Sequence, residues 1–118
     1  MRAVVASVSG VLCAAALTLP LSAAGVTIKG EVVDVACATS QGDRGKGGAH
    51  ADCAMSCARK GQPVGILTSD AVYEVTGDFS AHNNAKLLDF IGKSVMVSGE
   101  LTERDGKKLL NVQTIKVQ

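Results

Sequence analysis

The feature that most constrains this chain is a strict alternation on either side of Asp105-Gly106. From Ser94 onward, Val95, Val97, Gly99 and Leu101 fall on one side, with Met96, Ser98 and Glu100 on the other. A period of two is the signature of a half-buried strand. Asp-Gly supplies the two positive-φ residues of a tight hairpin turn. Lys107 to Val117 returns with Leu109, Leu110, Val112, Ile115 and Val117. Its two apolar subsets are out of phase, which predicts a bulge near Asn111 to Gln113. An isolated hairpin is marginal in water, so this one requires further strands or helices to cover it. Val95, Val97, Leu101, Leu110, Val112 and Ile115 are the expected buried face.

The rest of the chain supplies those elements. Val26 to Cys37 reads as a strand, with Gly30 marking a bulge or a close backbone approach. Residues 38–48 hold four glycines and no large apolar side chain, which predicts a flexible loop. Their spacing is not that of a phosphate loop, so nucleotide binding is not expected there. Ala49 to Lys60 carries four alanines, basic Arg59 and Lys60 in its last turn and Gly61 beyond them, a strong helix signature. Pro63 to Thr68 and Ala71 to Val75 read as strands, and Asn83 or Asn84 is positioned to cap a short helix ending at Ile91.

The expected fold is mainly β with two short helices, arranged as an OB-like five-stranded barrel; a small α+β sandwich is the alternative. The segment Gly92-Lys93-Ser94-Val95-Met96-Val97-Ser98-Gly99-Glu100-Leu101, with the hairpin and long strand after it, resembles the closing hairpin of exported bacterial OB-fold proteins. Residues 50–67, which contain a His-x2-Cys-x3-Cys helix, are similar to a stretch of small exported bacterial proteins of unassigned function. That resemblance implies a fold and export but no activity.

Residues 1–24 read as a secretory signal peptide. Arg2 precedes a charge-free run rich in Val, Ala and Leu, Pro20 breaks it, and Ser22-Ala23-Ala24 offers small residues for cleavage. Cys13 lies inside that run and is expected to leave with it. Residues 25–118 then form a single domain, periplasmic or extracellular, with no membrane contact after cleavage. Without Arg2, the 11 remaining basic residues balance the 11 acidic ones. Neutrality, with aromatic residues at 3%, argues against nucleic-acid capture and stacking.

The chemistry concentrates in Cys37, His50, Cys53 and Cys57. Offsets of zero, three and seven place His50, Cys53 and Cys57 on one helical face, and the glycine-rich loop allows Cys37 to fold back onto it. Three thiolates and an imidazole suit tetrahedral zinc or soft copper(I). The set matches no zinc-finger spacing and lacks both Cys-x-x-Cys and the haem-attachment pattern. In an oxidising compartment, a disulfide joining Cys37 to Cys53 or Cys57 is the alternative, stapling the helix to the first strand. The odd number of cysteines after cleavage leaves one thiol over, and a redox role for it is a third reading. His82 reads as a solvent-exposed loop residue, and Met55 and Met96 as packing residues. No Ser-His-Asp or paired-carboxylate arrangement is defensible, so a non-enzymatic role is expected. The expected function is an exported small binding protein with a structural or cargo metal and a metal ion or exported protein as partner. A disulfide-stapled interaction module and a thiol-redox accessory are the alternatives.

Overall fold

The structure is a computed structural model, describing residues 24–42 and 46–118. Residues 1–23 of the expected signal peptide, Cys13 included, lie outside the described residues, as do residues 43–45 of the glycine-rich loop. Five strands form the body: β1 (Ala24–Asp34), β2 (Val64–Leu67), β3 (Val72–Thr76), β4 (Ser94–Arg104) and β5 (Lys107–Val117). Three short helices accompany them: α1 (Val35–Gln41), α2 (Ala51–Arg59) and α3 (Ala81–Asn84). The strands close into a ring in the order β1-β2-β3-β5-β4, so the sheet shuts on itself instead of stacking as a sandwich. All pairings are antiparallel except β3 with β5.

Two strands make the closure possible. The first part of β1 pairs with β4 and its end pairs with β2, the partner changing at Glu31. Gly30 sits at that change because a Cβ there would collide with the Leu67 carbonyl and the Ile66 side chain. The close approach expected from its sequence position is present. On the other side, β4 and β5 pair along their full length around Asp105 and Gly106, whose φ angles of 52° and 75° are those of a primed hairpin turn. Ser98 faces Thr114 while Gly99 faces Val112, leaving Gln113 as the extra residue of a bulge. This is the bulge that the phase change in β5 predicts. Gly99 is required opposite it, because a Cβ would run into the Asn111 carbonyl.

The ring is filled by β-branched and leucine side chains. Val32, Ile66, Val95, Val97 and Leu110 are fully buried and belong to one cluster with Val64, Val75 and Val112. Leu101 and Ile115, expected inside, are half-buried toward the strand ends. Leu87 and Ile91 close part of the interior from the segment before β4, and α2 contributes Ala54 and Ala58. Alanine lets that helix lie close: a Cβ on Gly92 would stand 2.9 Å from the Ala51 Cβ.

The helices depart from expectation in two places. Residues 35–41, read as strand end and loop, form α1. Asp34 starts it by capping, and Ala36 and Ala38 favour it. Conversely, the helix expected from Asn83 or Asn84 to Ile91 is not continuous. His82, Asn83 and Asn84 have φ of 54°, 54° and 59°, a left-handed path that no right-handed helix can follow. Only the single turn of α3 and a 3-10 turn at Leu88–Phe90 remain.

Candidate functional site

β1 passes directly into α1, and Asp34 is the joint. Its backbone is still extended, and its Oδ1 accepts the amide of Cys37 at 2.9 Å. That bond satisfies one of the amide donors left open at a helix start. The Thr39 and Ser40 hydroxyls then donate to the Val35 and Ala36 carbonyls at 2.8 and 2.7 Å. Cys37 therefore sits in the first turn of a capped helix and not at the end of a strand. No folding back of a loop is needed to bring it toward α2.

α2 is fixed at both ends. Ahead of it, a 3-10 turn spans Gly48–His50, and the Glu31 carboxylate on β1 accepts the Gly47 amide at 2.9 Å. At its far end, Asn84 donates through Nδ2 to the Ala58 carbonyl at 3.0 Å and the Gln62 carbonyl at 2.9 Å. Asn84 is 3% exposed, and one side-chain amide thereby satisfies two carbonyls at and beyond the helix C-terminus. With Ala54 and Ala58 turned to the core, Cys53 is exposed and Cys57 half-buried.

The three thiols and Asp34 form one electrostatic group. Burial is the largest influence raising the Cys37 thiol above its ordinary value of 9.0, followed by the charge and hydrogen bonding of Asp34, then by Cys53 and Cys57. Cys57 is raised in the same way, first by burial, then by the charges of Asp34 and Cys53 and by hydrogen bonding to both. At neutral pH these two thiols hold their protons, which disfavours them as reactive thiolates. All three described cysteines are free. Among the described residues, no three His, Cys, Asp or Glu side chains stand in a ready-made metal-ligating arrangement.

His50 has a different setting. It lines a small recess with Glu31, Val33, Lys46, Gly47 and Gly92. Its Nε2 is buried without a hydrogen-bond partner, and His50 is not among the groups acting on Cys37 or Cys57. A separate groove of about 630 Å³ runs along Val35, Ala36, Pro63 and Val72 to Lys107 and Lys108 on the hairpin turn. His82 is exposed, as expected.

Two residues of this region are not singled out by the sequence reading. Asp34 looks like one polar residue among several in a strand. The signal that identifies it is Asp followed by Val-Ala-Cys-Ala, a capping residue before helix formers. Asn84 carries no local signal for its role, because its partners lie 26 and 22 residues away in sequence. No protein-family model, curated protein or solved structure matches the chain.

Proposed function

We propose that the protein is an exported, non-enzymatic binding protein with an OB-like barrel as scaffold and a site for a thiophilic ion, zinc(II) or copper(I). The thiols of Cys37, Cys53 and Cys57 are its ligands. The observation that supports this reading is the meeting of Cys37 and Cys57, from two helices, at the buried Asp34 carboxylate, with Cys53 close enough to act on both thiols. Groups that raise one another's proton affinity form a site where negative charge accumulates on ionisation. A cation that displaces the protons relieves that repulsion, and thiolate softness selects zinc or copper(I) over calcium or magnesium. The OB-like reading is supported by the ring of five strands with a helical turn between the third and fourth. A fourth ligand is available from either side: His50, whose buried Nε2 lacks a partner, or Asp34.

For Cys37 and Cys57 the redox alternative is disfavoured, since an attacking thiol needs a lowered proton affinity and theirs is raised. Titration of the reduced protein with zinc and copper(I) under anaerobic conditions tests the proposal. One ion bound per chain, with three thiols shielded from alkylation and protons released on binding, is the expected result. If neither ion binds and the isolated protein has one free thiol, the metal reading fails. A module stapled by Cys37 with Cys53 or Cys57, acting on an exported protein partner, then takes its place.

A further inference from the structure

We propose that the groove between α1 and the β4–β5 turn binds a free aliphatic monocarboxylate, its chain lying on Val35, Pro63 and Val72 and its carboxylate held by Lys107 and Lys108. The proposal is independent of the thiol site. No cysteine lines the groove. Val35, Ala36 and Thr39 turn one side of α1 to it, and Cys37 falls about 200° round the helix from Val35.

The floor is built and fixed. α1 packs on β2 and β3. A Cβ on Gly65 of β2 would stand 2.9 Å from both Val35 Cγ2 and Val72 Cγ1, so the glycine lets these two valines settle together on the strand. Pro63 and Ala71 extend the same apolar surface. At about 630 Å³ the groove has the size of a small-molecule site.

The hydrogen bonds already made decide what kind of body fits. The Pro63 carbonyl accepts the Val35 amide, and the Gln62 carbonyl accepts Asn84. The Ala71 carbonyl accepts the Thr68 amide and hydroxyl, and its amide donates to the same hydroxyl. The Thr39 hydroxyl donates to the Val35 and Ala36 carbonyls. Val72 and Glu74 are paired in the sheet. A peptide brings a donor and an acceptor with every residue and finds these groups spent. No aromatic ring lines the groove, so a planar ligand has nothing to stack on. An aliphatic chain needs neither.

Charge chooses the head group. Lys107 and Lys108 line the hairpin end, and Glu74 lines the groove from β3. Among the described residues none of the three is in an ion pair. The Lys108 ammonium is held 5.5 Å from the centre of the Tyr73 ring, which fixes where it stands. Two ammonium groups and one carboxylate leave a single positive charge, the complement of one carboxylate.

The test is calorimetric titration of the protein with decanoate below its micelle concentration, beside octanoate, hexanoate, decanol and phosphatidylglycerol vesicles. One decanoate should bind per chain. Each methylene removed should weaken binding about two- to fourfold, fourfold being the value for full burial. Lys107→Gln combined with Lys108→Gln should weaken decanoate about tenfold or more and leave decanol within about twofold. Glu74→Gln should strengthen decanoate about two- to fivefold, the size of an exposed charge interaction. Ala36→Phe, at an exposed position of α1, should fill the groove and abolish binding. Should the variants not fold, the methyl resonances of Val35 and Val72 in the unsubstituted protein decide, since both must move on decanoate addition. Alkylating the thiols should change nothing, so failure here leaves the metal reading standing and failure there leaves this one. No decanoate binding, or affinity indifferent to chain length, overturns the site. Decanol binding as tightly as decanoate overturns the carboxylate, and binding to vesicles alone makes the face a membrane-docking surface instead.

Discussion

The β4–β5 hairpin and the α1–α2 layer sit on the same ring and are built on opposite terms. In the hairpin, every local preference agrees. Valine and leucine alternate inward, the turn has the residues its φ angles need, and the bulge is met by a glycine. Nothing in it is buried at a cost. The α1–α2 layer instead holds a buried carboxylate, three thiols and a buried imidazole nitrogen with no partner. The buried carboxylate and the unpartnered imidazole nitrogen each cost something in a purely structural cap. Regions that break local consistency are where function concentrates.

The comparison is broken most directly from the hairpin side. Leu110 is fully buried where β5 lies between β3 and β4. Leu110→Ala should cost about 2–5 kcal/mol, from lost burial and the cavity left behind. Equilibrium unfolding by urea measures it. A loss under about 0.5 kcal/mol would place the core elsewhere.

Next in size is Asn84, which belongs to the helical layer although it lies far from it in sequence. Asn84→Ala removes the side-chain donor to the Ala58 and Gln62 carbonyls, of which Ala58 keeps the Gly61 amide. The expected loss is about 1–3 kcal/mol. It should come with faster hydrogen exchange in the last turn of α2, whereas exchange in the hairpin should be unchanged. Equal acceleration in both would mean that the two regions open together and are not separately built.

A third, smaller effect follows from pH. The folded state raises the proton affinity of Cys37 and Cys57, with burial first and Asp34 next among the causes. A raised folded value means that the contribution is fully present below the unfolded value, near 9.0, and is lost as pH rises through the folded value. The metal-free protein should therefore lose stability on the alkaline side of pH 9, and Asp34→Asn should flatten that loss. The same scan on a double Cys37→Ala, Cys57→Ala variant should show no thiol-linked slope. If it keeps the wild-type slope, the titrating groups lie outside the layer.

The two regions also differ in how far they can be read from sequence. Alternation, Asp-Gly and the phase slip at Gln113 are short-range signals whose partners are close along the chain. The hairpin, its bulge and the glycine approach at Gly30 accordingly follow from residues alone. So does α2, where alanines, terminal cations and Gly61 all agree. The layer around α2 is different because its determinants are tertiary. The glycines after Gln41 hide α1 unless Asp34 is recognised as a cap. The left-handed run at His82, Asn83 and Asn84 is held in a fold that buries Asn84, which helix propensity does not register. The thiols were identifiable by type and spacing. The neighbour shared by Cys37 and Cys57 was not, because the capping signal at Asp34 says nothing of Cys57, which α2 supplies.

The smallest effect on stability is expected at the residue with the largest expected effect on function. Cys53 is exposed on α2, and its neighbours Ala54 and Ala58 carry the packing. Cys53→Ser removes a thiol from a solvent-facing position in a helix whose other contacts are untouched. Metal-free stability should change by no more than about 0.5 kcal/mol, as for surface substitutions generally. Zinc binding, measured on the same preparation by competition with a chromophoric chelator, should be largely lost, because a thiolate is a ligand that Ser does not replace at neutral pH. The two measurements together locate Cys53. A large loss of stability with zinc affinity intact would make it a packing residue and place the layer on the same terms as the hairpin. A negligible change in both would remove Cys53 from the site and leave Cys37, Cys57 and Asp34 too few to hold a tetrahedral ion alone.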